Sequence, residues 1–202
     1  RFRSGGTSFI AVNEYVKKNR DLFDGVVICT DGEAEDPGPS PVRRCWVLVP
    51  GTKLIFPTPP GDVVVSMDKL NAVGTVNVTD RSITVGAGAI TQSIQDAASQ
   101  VGLFYPVDFA SSGSSQIGGN IATNAGGINV IRYGMTREWV AGLTVVTGTG
   151  EDMALNKGLT KNNTGLDFRH LFIGSEGILG FITEATLKLT APPKNATVLV
   201  LG

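Results

Sequence analysis
Residues 113–127 read Gly-Ser-Ser-Gln-Ile-Gly-Gly-Asn-Ile-Ala-Thr-Asn-Ala-Gly-Gly. A stretch with so little side-chain volume cannot bury a core of its own, and glycine gives up more conformational freedom on ordering than any other residue. It orders where its backbone is pressed against something else, so that peptide N–H groups reach a phosphate or a ring edge while Asn and Thr add directed hydrogen bonds. The guest that suits such a surface is a large, polar, phosphate-bearing cofactor. The alternative is a tight loop whose glycines serve packing alone. No G-x-G-x-x-G follows a strand and no G-x-x-x-x-G-K-[ST] occurs, which argues against a Rossmann dinucleotide site and a P-loop.

The rest of the composition narrows the classes further. The chain has 202 residues, with Lys+Arg 17 against Asp+Glu 18 and a net charge of −1. That leaves no basic footprint for nucleic acid or an anionic membrane surface. A mean hydropathy of +0.13 excludes intrinsic disorder, and no apolar run approaches the roughly 20 residues that span a bilayer. Cys29 and Cys45 lie in apolar runs, VVICT and CWVLVP, and read as two buried reduced thiols of a cytoplasmic protein. The opening RFRSGG has neither an initiator Met nor an apolar core, so no signal peptide is expected and the chain reads as a piece of something longer.

Along the chain, Phe9, Val12, Tyr15 and Val16 fall near helical spacing, and 24–30 and 45–49 read as strands of a parallel sheet around a Gly/Pro-rich loop. The Pro-rich 57–61 marks a join. Beyond it, 63–66 is a strand, 71–87 reads as two short strands about a turn at Thr79-Asp80-Arg81, and 90–101 as an amphipathic helix. Residues 105–136 are weakly periodic. Trp139–Thr147 and Asp152–Leu155 form a hairpin about Thr147-Gly148-Thr149-Gly150, 167–172 is a helix, 178–189 a strand, and 196–201 begins a further element.

The motifs SSGSSQIGGNIATNAGG, Arg132-Tyr133-Gly134, LTVVTGTGE and KNNTGLDFRHLFIGSEGILGFITEATLKL, in that order, resemble the FAD-binding domain of FAD-linked oxidases of the vanillyl-alcohol-oxidase superfamily. The likeness is strongest to the D-lactate, D-2-hydroxyglutarate and glycolate dehydrogenase group, and VVVSMDKLNAV and ITVGAGAITQSIQDAASQVG extend it over about residues 62–190. The resemblance implies an α+β fold of two subdomains with FAD extended between them and its pyrophosphate held by backbone. It implies that Pro106, Ser112, Ile117, Gly118, Gly119 and Asn120 line the pyrophosphate and isoalloxazine, with Thr123, Asn124, Gly126, Gly127, Tyr133 and Gly134 close by. Glu176, Gly177, Gly180 and Ile182 would approach the adenosine and ribityl parts. On residue type alone, Glu176 equally suits a cap, and Asn162, Asn163 and Asp167 suit turns and N-caps.

One element of the family pattern departs. Where a G-G-N-T-G-x-x-G-G phosphate loop would precede the strand at 63–66, the chain has Pro50–Gly61, whose prolines remove N–H donors. Residues 1–57 instead resemble the C-terminal half of a von Willebrand factor A-like domain through GGTSF, DGVVICTDGE and CWVLVPGT. That likeness implies Thr7 and Asp31 as metal ligands, too few of the usual six to hold a cation. The expected organisation is therefore a von Willebrand-like α/β fragment (1–57), a junction (58–61) and an FAD-binding domain (62–202) without its first phosphate loop or substrate domain.

A flavin 2-hydroxy-acid dehydrogenase needs a base and cationic groups for the substrate carboxylate. The single histidine, His170, suits a helix end better than a base, so no catalytic or metal constellation is expected and the chain alone should not turn over. FAD is the expected cofactor and partner, and a homo-oligomer is admitted. The alternatives are a cofactor-free chimeric scaffold that self-associates through exposed apolar surface, and a weak metal-dependent binding module.

Overall fold
Phe9 and Val16 lie on one side of a ten-residue helix, and that side is what the first unit buries. In the computed structural model, which describes residues 8–48, 51–156, 162–163 and 165–194, the chain divides into two compact units that meet in sequence at Lys69/Leu70. In the first, α1 (Phe9–Lys18) buries Phe9, Asn13 and Val16, while Val12 and Tyr15 stay exposed, so the buried stripe is narrower than the apolar spacing suggests. Lys17 and Lys18 sit in the last turn, where the helix dipole favours cations.

Three parallel strands, β1 (Gly25–Thr30), β2 (Arg43–Leu48) and β3 (Val63–Ser66), form a sheet in that order, Gly25 opposite Arg43 and Cys45 opposite Val63. Trp46 is fully buried, edge-on to Phe9 at 4.9 Å and Phe56 at 5.5 Å, with Ala34, Ile28 and Leu54 around them. Asp62 accepts from Trp46 Nε1 at 2.7 Å and from Arg44 Nε at 2.9 Å, while Arg44 Nη1 and Nη2 are buried without hydrogen-bond partners among the described residues.

Residues 27, 29, 45, 47 and 63 point to the opposite side of this sheet, and there Val27 is 66% and Val63 57% exposed. The expectation of two buried thiols is therefore corrected. Cys29 is exposed and Cys45 half-buried, because they lie on the side of the sheet that Trp46 and Phe9 do not occupy. Burial and the neighbouring Cys29 push the Cys45 thiol up from its ordinary value.

The second unit is built on an antiparallel sheet ordered β4-β7-β5-β6, from β4 (Ser82–Gly86), β5 (Val140–Thr147), β6 (Asp152–Leu155) and β7 (Gly180–Lys188). Ile83, Val85, Leu143, Val145, Ala185 and Leu187 are buried, as are Ile94 and Ala98 of α2 (Thr91–Gln100). Each large apolar side chain so buried contributes about 1.5–3 kcal/mol. Thr84, Thr144, Thr186 and Glu184 lie on the more exposed side, where Thr84 and Thr186 hydroxyls meet at 3.1 Å. Parallel strands in one unit and antiparallel strands in the other, with helices of both, make the chain α+β.

Two expectations change here. Of the two strands expected in 71–87, only β4 is regular; its partner contributes isolated bridges, Val73 to Val85 and Asn77 to Ser82. The pairing slips by one residue between those bridges, so the ladder cannot run through. The weakly periodic 105–136 nevertheless holds three short helices, α3 (Ile117–Ala122), α4 (Val130–Tyr133) and α5 (Thr136–Trp139), and α6 (Arg169–Phe172) follows later. In α3 the helix is fixed by burial of Ile117 and Ile121 one turn apart rather than by the propensity of Ile-Gly-Gly-Asn. The element expected at 196–201 lies outside the described residues. Among the described residues no helix is long and apolar enough to cross a membrane.

Candidate functional site
The Gly-rich segment is stitched to the turn between β4 and α2. Ile117 and Gly118 donate their N–H groups to Ala89 O (3.0 Å) and Ala87 O (2.7 Å), and Thr91 and Gln92 donate back to Ser115 O and Ser112 O, both at 3.0 Å. Gly118 is required there, since a Cβ would stand 2.7 Å from Ala87 Cβ and 2.9 Å from Ala87 O. Asn120 is buried, its amide donating to Thr91 Oγ1 at 2.8 Å. The peptide donors of Ile117 and Gly118 and the amide of Asn120 thus have partners within the chain.

What α3 leaves open is Gly119 and Thr123. No atom lies within 4 Å of a Cβ built on Gly119, and Thr123 donates only to Gly119 O. Against the C-terminal end of α3 lies the turn after α6. Gly174 N–H donates to Ile121 O (3.0 Å) and Glu176 N–H to Ala122 O (2.8 Å), satisfying carbonyls that a helix end would otherwise leave unpaired. Asn124 (φ 48°) and Glu176 (φ 52°) are both left-handed, which is costly for residues with a Cβ, and Gly177 next to them (φ 82°) has open space around it. Glu176 therefore caps through its backbone, with its side chain exposed.

The other expected residues fall into two groups. Tyr133 stacks edge-on between Phe104 and Trp139 beneath Arg132, its carbonyl takes the Trp139 Nε1 proton, and Gly134 (φ 74°) ends α4. Gly126 is half-buried, and a Cβ on Gly127 would meet Asp108 O at 2.0 Å. Pro106 is buried and accepts from Asn129, and Ser112 bonds Gln92. Gly180 and Ile182 belong to β7, Gly180 under Val146 O and Ile182 in the core. So Asn124, Glu176 and Gly177 are gathered at the C-terminal end of α3, with Gly119 and Thr123 exposed one turn apart along its open side, whereas Ile117, Gly118 and Asn120 of α3 and Gly180 and Ile182 of β7 are turned into the structure.

Sequence reasoning missed Arg137. Its N–H donates to Asn124 Oδ1 (3.0 Å), Nη1 to His170 O (3.0 Å) and His170 Nδ1 (2.9 Å), and Nη2 to Ile173 O (2.5 Å). Arg169 is tied likewise, to Val140 O, Ala141 O and Asp167, and it holds the Asp167 carboxyl below its usual range. Nothing in the local sequence marks Arg137, whose partners lie elsewhere in the chain; Arg169 has a local partner in Asp167, but the Val140 and Ala141 carbonyls it also reaches are distant in sequence. In the first unit Asp31 accepts from Glu33 N–H in an exposed turn, and Thr7 lies outside the described residues. Among the described residues no three His, Cys, Asp or Glu groups are placed to hold a metal.

Bare backbone at Gly119 and Gly177 lies exposed beside the Thr123 hydroxyl, and backbone left open in this way suits close approach by a large polar ligand such as FAD. The sequence profile of the family described as FAD binding domain matches residues 44–155, more than half of the chain. The chain belongs to this FAD-binding family, and its cofactor is FAD. It is 60% identical over 142 residues to D-2-hydroxyglutarate dehydrogenase of Stutzerimonas stutzeri (strain A1501), covering 70% of this chain and 31% of that protein. It is 39% identical over 152 residues to glycolate oxidase subunit GlcD of Bacillus subtilis (strain 168), covering 74% of this chain and 32% of the relative. The chain thus spans about a third of the curated relatives it matches. In fold it is similar to an alkyldihydroxyacetonephosphate synthase structure, with a TM-score of 0.59 over 92% of this chain and 30% of that one at 24% identity.

Proposed function
We propose that the chain is the FAD-binding part of a flavin-dependent 2-hydroxy-acid dehydrogenase or oxidase and is inactive alone. The observation that carries the reading is the 60% identity to D-2-hydroxyglutarate dehydrogenase. When bound, FAD supplies the hydride acceptor. The residues of this chain hold and orient it: Gly119, Thr123, Asn124, Tyr133, Gly134, Glu176 and Gly177 at its surface, with Pro106, Ser112, Ile117, Gly118, Asn120, Gly126, Gly127, Gly180 and Ile182 closing in beneath. The base and the carboxylate-binding groups come from a substrate domain supplied by the rest of the protein.

The organisation at 1–57, 58–61 and 62–202 belongs to the same reading. Pairing of β2 with β3 carries one sheet across 58–61, which supports the N-terminal strands serving as an edge for the flavin-binding region. The reading places the chain in the cytoplasm, with Cys29 and Cys45 as free thiols. The test is a graft, with this chain replacing the matching segment of the Stutzerimonas enzyme. The hybrid should bind FAD and bleach it on anaerobic addition of D-2-hydroxyglutarate, while the chain alone bleaches with no 2-hydroxy acid. A hybrid that holds FAD yet is inert to every 2-hydroxy acid overturns the substrate class.

The exposed Val27 and Val63 side of the first sheet favours a second reading, a cofactor-free scaffold that self-associates. A colourless dimer on sizing, unable to take up FAD, would establish it.

A further inference from the structure
Arg137 ties together the pieces around the end of α3. Its backbone N–H donates to Asn124 after α3, while its guanidinium reaches His170 in α6 and Ile173 before the turn, with Nη2 3.4 Å from where a Cβ on Gly174 would be. The turn it holds carries Glu176 (φ 52°) between Gly174 (φ 86°) and Gly177 (φ 82°); the glycines take this conformation freely, but for Glu176 it is costly and persists where surrounding bonds impose it. Those bonds are the two donations from Gly174 and Glu176 to α3 and the grip of Arg137 on Ile173 O.

Guanidinium has donors and no acceptor and does not deprotonate in proteins, so at 2.9 Å His170 Nδ1 must be the acceptor. That requires a neutral imidazole. Protonation would remove the acceptor and set two cations against each other. The charges around His170 oppose one another. Asp167 Oδ2 lies 3.4 Å from Nε2, Arg137 of α5 faces Nδ1, and Arg169 is paired to the same carboxylate. Lys188 of β7 lies within electrostatic reach of Arg169 and of Glu138 of α5, and burial, followed by Arg169, pushes its ammonium below the ordinary value.

We propose that Arg137 is the positioning residue for the turn bearing Glu176 and Gly177, and that its grip, and with it FAD affinity, is released when His170 takes up a proton. The proposal rests on the reading that this turn lies beside FAD. Histidine side chains change charge between about pH 5 and 8, so the grip is held at the upper end and loosened at the lower.

The test uses the full chain with Arg137→Gln, Arg137→Lys and His170→Asn; in the last, Asn Oδ1 stands in for Nδ1 and accepts at every pH. Amide exchange of Gly174 and Glu176, as protection factors without FAD at the two ends of that pH range, reads the turn. Quenching of added FAD fluorescence reads affinity. The unsubstituted chain should lose at least about tenfold in protection and in FAD affinity towards low pH, about 1.4 kcal/mol. Arg137→Gln should show the low-pH values throughout, Arg137→Lys should recover them only in part, and His170→Asn should be flat at the high-pH values. Protection unchanged in Arg137→Gln, or a pH dependence that survives His170→Asn, overturns the proposal; His170 is half-exposed, so that variant folds even if the arginine variants do not. Protection that follows this pattern in a chain that never quenches FAD instead refutes the cofactor reading and leaves the positioning role standing.

Discussion
Replacing Gly119 by Ala separates the structural glycines of α3 from those that face the cofactor. Gly119 is exposed in a helix, with no atom within 4 Å of the added methyl, so the folded chain accepts it without strain. Relief of glycine's backbone entropy in a helix is worth about 0.5–1 kcal/mol. At roughly 4 °C per kcal/mol for a unit of this size, the second unit should melt about 2–4 °C higher without ligand. On the proposed placement of FAD the same methyl stands in the path of the cofactor's close approach, and an inserted methyl in a fitted contact costs about 1–3 kcal/mol. FAD affinity should therefore fall about fivefold or more while stability rises. Differential scanning calorimetry and FAD fluorescence titration on one preparation measure both. A variant that is stabilised but binds FAD unchanged would refute the placement of cofactor at Gly119.

The remaining predictions follow from buried contacts. Gly127→Ala puts a Cβ 2.0 Å from Asp108 O and should destabilise the second unit by about 1–3 kcal/mol, seen as a lower urea midpoint. Tyr105 is fully buried, its Oη without a partner among the described residues, and burial pushes its phenol up from the ordinary value. Ionisation is then favoured only in the unfolded chain, so stability is present below about pH 10 and falls above it. Tyr105→Phe should raise the melting temperature at neutral pH and flatten that alkaline loss. In the first unit, Arg44→Met with Asp62→Asn removes a buried pair whose Nη1 and Nη2 have no acceptor, and should leave stability equal or higher, whereas Arg44→Met alone should lower it by leaving Asp62 to Trp46 only.

Much of the fold was legible because the signals were local. The β5–β6 hairpin is written in a β-branched run that stops at Thr147-Gly-Thr-Gly, and α2 in the spacing of Ile94 and Ala98. Which side of the first sheet is covered was not legible, since VVICT is apolar on both, and Cys29 came out exposed. Nor was α3, where Gly-Gly-Asn suppresses periodicity and the helix is held by bonds to residues 87–91. At the site, the glycines announced themselves by absence of side chain, but residue type could not tell a glycine that packs, such as Gly118, from one that stays open, such as Gly119. The left-handed backbone at Glu176 and the reach of Arg137 across 33 residues to His170 depend on tertiary neighbours that no local pattern encodes.

The most direct measurement is an absorbance spectrum of the freshly purified chain after FAD is added and dialysed away. Flavin bands that remain with the protein, in about one equivalent, are expected if the surface at Gly119, Thr123 and Glu176 holds FAD despite Pro50–Gly61 replacing the first phosphate loop. A colourless chain that still melts cooperatively would contradict this, leaving the fold intact and the cofactor site without its ligand.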